Sequence, residues 1–111
     1  MTLYQGILKY VEEDIPILYD GQYISSNLSK VKHGFGLLKT SNFKHLGSWI
    51  NNQTCGNGIE IYANGEIYVG NFLQGEKHGS GIYFYNNGSK YIGKWNEGLM
   101  NGYGFLSNKD N

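Results

Sequence analysis

The residues best able to do chemistry in this chain are three histidines and its one cysteine. His33 and His78 each stand directly before a Gly-x-Gly pair, Cys55 stands before another such pair, and His45 lies between His33 and Cys55. Imidazole nitrogens and thiolates are ligands for zinc, and the same groups serve in nucleophilic catalysis. Either chemistry would require several of these side chains to converge on one point.

The spacing of these residues argues against convergence. His33, Cys55 and His78 occupy the same place in successive sequence units, and a stacked array displaces equivalent residues along its axis. Cys55 also has no neighbouring His or Lys that would stabilise a thiolate. The run of acids Glu12-Glu13-Asp14 is typical of a solvated loop. The sequence therefore predicts no catalytic residue, no metal ligand and no cofactor site.

A basic stretch lies in residues 21–59, which contain no carboxylate and four lysines: Lys30, Lys32, Lys39 and Lys44. On one face of the fold they would attract anionic lipid head groups, at about 1 kcal/mol for each lysine near the surface. The alternative is that these lysines serve only solubility. Nucleic acid is not expected as a partner, because the net charge is zero and the chain has no Arg to clamp phosphate or read guanine.

A repeated pattern of glycines and aromatic residues sets the elements that must position these side chains. Each unit has a tyrosine or histidine, then a glycine, a large aromatic, a turn glycine and a Gly-x-Gly pair. Two copies stand 23 residues apart: Tyr68-Val-Gly-Asn-Phe72, Gly75 and Gly79-Ser-Gly81, then Tyr91-Ile-Gly-Lys-Trp95, Gly98 and Gly102-Tyr-Gly104. The four Gly-x-Gly pairs begin at positions 34, 56, 79 and 102. A fixed period of this length indicates a repeat array.

The spacing within each unit predicts two antiparallel strands. Tyr68, Gly70 and Phe72 alternate with period two and so share one face of a strand. Asn64-Gly65 and Asn87-Gly88 stand between such runs, and Asn-Gly favours hairpin turns in which both residues have positive φ. Glycines within strands leave flat backbone on which a neighbouring aromatic ring can lie. We therefore predict an all-β fold in which antiparallel hairpins stack into an array, with a barrel core as the alternative.

The units divide the chain into a cap, an array and a tail. Residues 1–22 are predicted to form a divergent, acidic N-terminal cap, in which Pro16 indicates an edge strand. Residues 23–107 are predicted to form about four units, and residues 108–111 a short tail. The predicted units begin at Tyr23, His45, Tyr68 and Tyr91.

The first of these four units is degenerate in its first half. Tyr23 takes the tyrosine position, but Ser25, Asn27 and Lys30 stand where the glycine, the large aromatic and the turn glycine are expected. The second half, His33-Gly-Phe-Gly36, keeps the pattern. This unit is therefore predicted to depart most from the others.

The pattern Tyr-x-Gly-x-Trp, then Gly, then Gly-x-Gly with a 23-residue step resembles the MORN repeat (membrane occupation and recognition nexus). The resemblance covers roughly residues 23–107, and the units from Tyr68 and Tyr91 are nearest to the family pattern. It implies an elongated, twisted antiparallel sheet of stacked hairpins in one open layer, with an aromatic-lined groove. It also implies a scaffolding or tethering role without enzymatic activity.

We expect a non-enzymatic interaction module, a small structural subunit of a larger cytoskeletal or ciliary assembly. The alternative is a peripheral adaptor that binds phosphoinositides or other anionic phospholipids through the four lysines. A length of 111 residues indicates one small domain. The single cysteine and the lack of an export or membrane-spanning pattern favour an intracellular, reducing location.

Partner contacts are predicted at the groove aromatics and at the C-terminal edge. The last predicted strand, Gly102 to Ser107, contains no charged residue or Pro, and only a short tail follows it. Its edge is therefore expected to accept a strand from another protein or from a second copy of the chain. The predicted partner-binding residues are Trp49, Tyr68, Phe72, Tyr91, Trp95, Tyr103 and Phe105.

Overall fold

A computed structural model of the chain describes residues 2–26 and 29–109, which form one sheet of nine β-strands. The strands are β1 (Tyr4–Glu12), β2 (Ile15–Ser25), β3 (Lys30–Lys39), β4 (Phe43–Ile50), β5 (Gln53–Tyr62), β6 (Ile67–Leu73), β7 (Glu76–Phe84), β8 (Lys90–Asn96) and β9 (Leu99–Ser107). They pair in sequence order, and each pair is antiparallel. The molecule measures 53 × 25 × 22 Å along its principal axes. The prediction of an all-β, elongated, open sheet is confirmed.

No helix occurs in residues 2–26 and 29–109. Consequently, this part of the chain has no helix of the length and apolarity needed to cross a bilayer.

A row of glycines runs across the whole sheet, with one glycine on every strand. Each glycine is the register partner of the glycine on the next strand, so the nine residues form a continuous line across the strands. The members of this glycine row are Gly6, Gly21, Gly36, Gly47, Gly58, Gly70, Gly81, Gly93 and Gly104. A Cβ on Gly70 would lie 2.6 Å from the Ser80 carbonyl oxygen, which no real side chain tolerates. The glycine row therefore allows both close backbone approach and ring packing on the sheet.

The first glycine of each Gly-x-Gly pair has a different role. Gly34, Gly56, Gly79 and Gly102 have φ between 71° and 103°, a region that L-residues with a Cβ rarely adopt. They lie where the register of each hairpin shifts, as between the Gly70 and Phe72 pairings of β6 with β7. Extra residues on one strand bend it and increase its twist.

The bend brings the two ends of the strands toward each other over one face. Tyr10 and Lys32 lie on opposite sides of the glycine row, yet the Lys32 ammonium donates a hydrogen bond of 2.6 Å to the Tyr10 hydroxyl. This contact requires the sheet to fold into a trough. We call its inside, which holds the rings, the aromatic face, and its convex side the outer face.

The turns within the later units differ from the turns that join β5 to β6 and β7 to β8. The turn at Glu13-Asp14, between β1 and β2, has the same pair of positive φ angles as the turns within units. Asn51-Asn52, Gln74-Gly75 and Glu97-Gly98 have positive φ at both positions, the type I′ geometry that suits twisted hairpins. These turns join the two strands of one unit. A positive-φ pair was expected at Asn64-Gly65 and Asn87-Gly88, the turns between units, and there the prediction is wrong.

At these turns between units only Gly65 and Gly88 have positive φ. Each glycine amide donates to the carbonyl three residues earlier, which closes a turn before the glycine. The side-chain oxygen of Asn64 accepts a hydrogen bond from the Glu66 amide at 2.9 Å, and Asn87 makes the same contact. Asn is therefore used here for its side-chain acceptor and not for its tolerance of positive φ.

The first full unit begins at Tyr19 and not at Tyr23. Tyr19 donates its hydroxyl to the carbonyl of Gln22, three residues on, as Tyr68 does to Asn71. Gly21 belongs to the glycine row, and Tyr23 takes the position of the large aromatic. The proposed boundary at residues 22 and 23 falls inside β2.

The misplacement has a physical cause. The connection between β2 and β3, residues 26–29, is longer than the two-residue turns of the later units. The 23-residue step therefore does not hold at this unit, and counting back by it selects the wrong tyrosine. Asn27, expected at the aromatic position, lies outside the described residues.

The expectation that Pro16 marks an edge strand is also wrong. β2 is an inner strand that pairs with β1 on one side and β3 on the other. Pairing with β3 begins only at Leu18 and Lys39, so Pro16 lies beyond the end of that ladder. The proline nitrogen therefore costs the sheet no hydrogen bond.

Candidate interaction site

The aromatic face holds a continuous series of seven rings in edge-to-face contact. Successive ring centroids lie 4.5 to 5.6 Å apart, with interplanar angles of 75° to 86°. The order of the rings is Tyr19, Trp49, His45, Phe72, Tyr68, Trp95 and Tyr91. The tyrosine or histidine that begins each unit thus touches the large aromatic of its own unit, that of the next unit, or both. Edge-to-face pairs add about 0.5–1.5 kcal/mol each beyond the area that they bury.

The tyrosines in this series are fixed by their hydroxyl groups. Tyr19, Tyr68 and Tyr91 donate to the carbonyls of Gln22, Asn71 and Lys94, at 2.6, 2.9 and 3.2 Å. Burial raises the pKa of Tyr19 and of Tyr68 to about 12. The phenols of Tyr19 and Tyr68 are therefore neutral hydrogen-bond donors at pH 7.

Two lysines lie inside cages of aromatic rings. The Lys32 ammonium is 5.1, 5.9 and 5.6 Å from the ring centroids of Tyr10, Tyr19 and Trp49. Lys32 is 9% exposed. A desolvated cation over aromatic faces is attracted by the ring quadrupoles, by about 2 kcal/mol in favourable cases. Lys32 therefore belongs to the core.

The second cage repeats the first. The Lys77 ammonium is 5.5, 5.8 and 5.6 Å from the rings of Tyr62, Tyr68 and Trp95. Each cage consists of a tyrosine from the strand directly before its unit, the tyrosine of its own unit and the tryptophan of the next unit. In the two remaining units the position of the lysine is held by Thr54 and Met100.

The unit from His45 to Tyr62 replaces this arrangement with a polar pair. His45 is 1% exposed, and its Nδ1 lies 3.3 Å from Glu60 Oε1. The Tyr62 hydroxyl donates to Glu60 Oε2 at 2.8 Å. Burial, and secondarily the Glu60 carboxylate, raise the pKa of Tyr62. Among the described residues, His45 Nε2 and Thr54 Oγ1 are buried without a hydrogen-bond partner.

The lysines of the predicted lipid face do not share one face. Lys32 is caged, and Lys30 lies beside it on the aromatic face, with its ammonium 5.7 Å from the Tyr23 ring. Lys39 and Lys44 are register partners on the outer face. The prediction of a single basic face made by all four is therefore wrong, because alternate residues of a strand point to opposite sides.

The structure also divides the predicted partner-binding residues into two groups. Five of them are at most 8% exposed and form the core: Trp49, Tyr68, Phe72, Tyr91 and Trp95. The groove that they were expected to line is closed by the bend of the strands, so they offer no free surface. Tyr103 and Phe105 are 93% and 75% exposed. Partner contact at these two residues stays a prediction.

The free edge of β9 has a defined set of backbone donors. The Tyr85 amide donates to the Ser89 carbonyl, and bonded pairs in an antiparallel ladder alternate from there. By this alternation Ile92 directs its amide and carbonyl toward β9, where its register partner is Phe105. The Phe105 amide therefore faces β8, and the amides of Gly104 and Leu106 face the open edge. Sequence parity without this turn contact could not tell these donors apart.

The histidines and the cysteine remain separate. His33, Cys55 and His78 lie at equivalent positions of β3, β5 and β7, one unit apart. Within residues 2–26 and 29–109, no group of three or more His, Cys, Asp or Glu side chains could hold a metal ion.

A single sheet of consecutive hairpins, with one glycine row and rings that bridge successive units, defines a β-hairpin repeat array. The model of the MORN repeat matches residues 45–67, 68–90 and 91–111, and the chain belongs to the MORN repeat family. The three matched units begin at His45, Tyr68 and Tyr91. A search of the curated proteins gave no significant match. MORN repeats are generally interaction modules for proteins or lipids, and the repeat itself is a non-enzymatic module.

Proposed function

We propose that this chain is a non-enzymatic scaffold that binds another protein, and that a strand of this partner pairs with the free edge of β9. The observation that supports this is the exposure of β9 on both of its faces. On the aromatic face, Met100 and Leu106 are 52% and 65% exposed. On the outer face, Tyr103 and Phe105 are 93% and 75% exposed. In the described part of the chain β9 pairs with β8 alone.

The other edge of the sheet is a poorer docking strand. β1 carries Lys9 and Glu12, and charges on an edge strand discourage pairing with another chain. β9 contains no charged residue or Pro from Leu99 to Ser107. Its exposed apolar side chains can reinforce a main-chain ladder on both faces.

A proline at Leu106 tests this proposal. Leu106→Pro removes an amide that faces the open edge and leaves the ladder to β8 intact. Ile7→Pro is the matched control, because the I′ turn at Glu13-Asp14 directs the Ile7 amide to the free edge of β1. Affinity purification followed by mass spectrometry should show partners that Leu106→Pro loses and Ile7→Pro keeps. Equal partner recovery by both variants would refute docking at β9.

A second copy of the chain is the alternative occupant of this edge. Light scattering after size exclusion should then show a dimer for the wild type and a monomer for Leu106→Pro. We place the proposed assembly inside the cell, in the cytoskeleton or a cilium, on the support of a composition rich in Lys and Asn, without Arg and with one Cys. Fluorescence microscopy of the tagged chain would test this location.

Anionic lipid is the second candidate partner. Lys39 and Lys44 are register partners on the outer face, and two adjacent positive charges favour the binding of anionic head groups there. Charge reversal of this pair should abolish co-sedimentation with phosphoinositide vesicles if lipid is the ligand. The Lys32→Met variant should leave any such binding unchanged, because Lys32 is caged.

A further inference from the structure

The joints between units show what a strand must carry to pack against a second strand of the array. At the first joint Tyr19 lies on Gly36 from within the unit, and Trp49 covers Gly36 from the next unit. The Trp49 indole donates to the Gly36 carbonyl at 3.1 Å. Its ring also meets the Tyr19 ring edge-on, with centroids 5.6 Å apart.

The same joint recurs two units later. Tyr68 lies on Gly81, and Trp95 of the next unit donates its indole N–H to the Gly81 carbonyl at 3.4 Å. The Tyr68 and Trp95 rings meet edge-on, with centroids 5.2 Å apart. Each joint thus consists of a glycine, a tyrosine and an incoming tryptophan.

At β9 only part of this joint is present. Tyr91 lies on Gly104, but in the described residues no ring approaches Gly104 from beyond β9. Leu106 is 65% exposed, whereas Leu38, its equivalent at the first joint, is 7% exposed. Met100 is 52% exposed, whereas the equivalent Lys32 is 9% exposed. The surface around Gly104 is therefore a socket of the same shape as the filled joints.

We infer that the strand accepted by β9 comes from a partner protein and carries the pattern Gly-x-Trp. This inference rests on the proposed docking at β9. In antiparallel pairing the incoming glycine takes the next place in the glycine row, opposite Gly104. The tryptophan then lies on Gly104, donates its indole N–H to the Gly104 carbonyl and meets the Tyr91 ring edge-on, with Met100 and Leu106 beside it.

A second copy of the chain does not provide this strand. Five strands have a ring two residues after the row glycine, namely β2, β4, β6, β7 and β8, and all five are paired on both sides. To place its aromatic face on the same side and run antiparallel, a second copy must present its own β9. That strand brings Gly102, Gly104 and Leu106 to the socket and no ring.

A peptide from this chain serves as the probe. The synthetic segment Ser89–Glu97 contains Tyr91, Gly93 and Trp95 in the required spacing. Its labelled form should bind the full-length chain in fluorescence polarisation, and the Trp95→Leu peptide should bind at least tenfold more weakly. In the full-length chain, Met100→Glu should weaken the wild-type peptide to a similar degree, while Ile7→Pro should leave it unchanged.

The outcomes separate this inference from the proposed function. Equal binding of the Trp95→Leu and wild-type peptides, both lost in Leu106→Pro, would keep strand addition and overturn the tryptophan socket. Failure of the wild-type peptide to bind would also overturn the socket inference, and partner recovery by Leu106→Pro would still decide strand addition. A dimer that blocks the peptide and dissociates in Leu106→Pro would identify the second copy as the occupant and overturn the inference.

Discussion

The neighbouring units that begin at His45 and Tyr68 have the same backbone conformation. They differ in whether their buried polar atoms have hydrogen-bond partners. In the Tyr68 unit the phenol donates to the Asn71 carbonyl, and Lys77 lies among three rings. In the His45 unit, one imidazole nitrogen and the Thr54 hydroxyl are buried without a partner among the described residues. An unpaired buried polar group costs about 1–3 kcal/mol. We therefore expect the His45 unit to be the weaker of the two.

The position of the His45 unit makes this difference important. The buried apolar residues form two clusters, one around Tyr19 and Trp49 and the other around Tyr68 and Trp95. The His45 ring joins them, with its centroid 5.3 Å from the Trp49 ring and 4.5 Å from the Phe72 ring. The array thus has two apolar halves connected by the polar His45 unit. A repeat array opens at its weakest interface, which we expect at the His45 unit.

The largest expected effect comes from truncating the two equivalent rings. Tyr68→Ala removes a fully buried ring and should cost about 3–5 kcal/mol of unfolding free energy. His45→Ala should cost less, because the imidazole is smaller and its loss also removes an unpaired buried nitrogen. Urea unfolding followed by tryptophan fluorescence measures both values. Equal losses would contradict the view that the His45 unit is the weaker one.

Restoring the apolar pattern of the His45 unit should have the next largest effect on stability. The equivalent of the His45–Glu60 pair in the first unit is Tyr19 with Leu38, which are register partners. The double variant His45→Tyr, Glu60→Leu should gain about 1 kcal/mol, since the removal of an unpaired buried nitrogen and a partly buried carboxylate outweighs the loss of the part-buried hydrogen bond from the Tyr62 hydroxyl to Glu60. His45→Tyr alone should be neutral or slightly stabilising. Thermal unfolding measures both, and a destabilised double variant would show that the polar pair is needed for folding.

Much of this architecture can be read from the sequence, because it depends on local periodicity. Gly81 and Gly104 are fixed by the space that a ring requires, and such a requirement recurs at a constant spacing in each unit. The constant spacing ends at Tyr23, where the connection between β2 and β3 is longer. Sequence spacing therefore locates a unit only where the turns keep the same length.

The candidate site was harder to predict, because it depends on the bend of the strands. Lys32 and Tyr10 lie far apart along a flat sheet, and only a folded trough brings them into contact. The sequence therefore indicated an exposed basic face and an open aromatic groove, where the structure has a caged lysine and a closed core. The Lys-to-Gly spacing, shared by Lys32 and Lys77 before their Gly-x-Gly pairs, was the signal available for these cages.

A smaller effect is expected from neutralising the cage of the Tyr68 unit. Lys77→Met keeps the length and apolar volume of the side chain and removes the charge, and Met100 holds this position naturally one unit later. The variant should lose about 0.5–1 kcal/mol, the size of a partly exposed cation–π contact. Chemical denaturation with a salt titration measures it. An unchanged unfolding free energy at every ionic strength would mean that the rings stabilise Lys77 only through contact with its methylene groups and not through its charge.

The smallest effect concerns the turn that leads into the Tyr68 unit and its dependence on pH. Glu66 accepts hydrogen bonds from the Tyr83 hydroxyl at 2.8 Å and from the Asn86 amide at 3.2 Å, and these contacts lower the pKa of its carboxyl below 4.5. Because the folded state favours the ionised form, this stabilisation is fully present above the ordinary pKa. It is lost as the pH falls through the lower, folded-state value.

Glu66→Gln should therefore flatten the acid limb of the stability profile slightly and leave the neutral region almost unchanged. The equivalent turns have no carboxylate at this position, because Phe43 and Ser89 stand where Glu66 does in the matching hydrogen bonds, which join Thr40 N to Phe43 O and Tyr85 N to Ser89 O. Urea midpoints of the wild type and of Glu66→Gln, compared from about pH 3 to pH 6, measure the difference. A wild-type acid limb that is no steeper than that of the variant would show that the Glu66 contacts do not favour the ionised carboxyl.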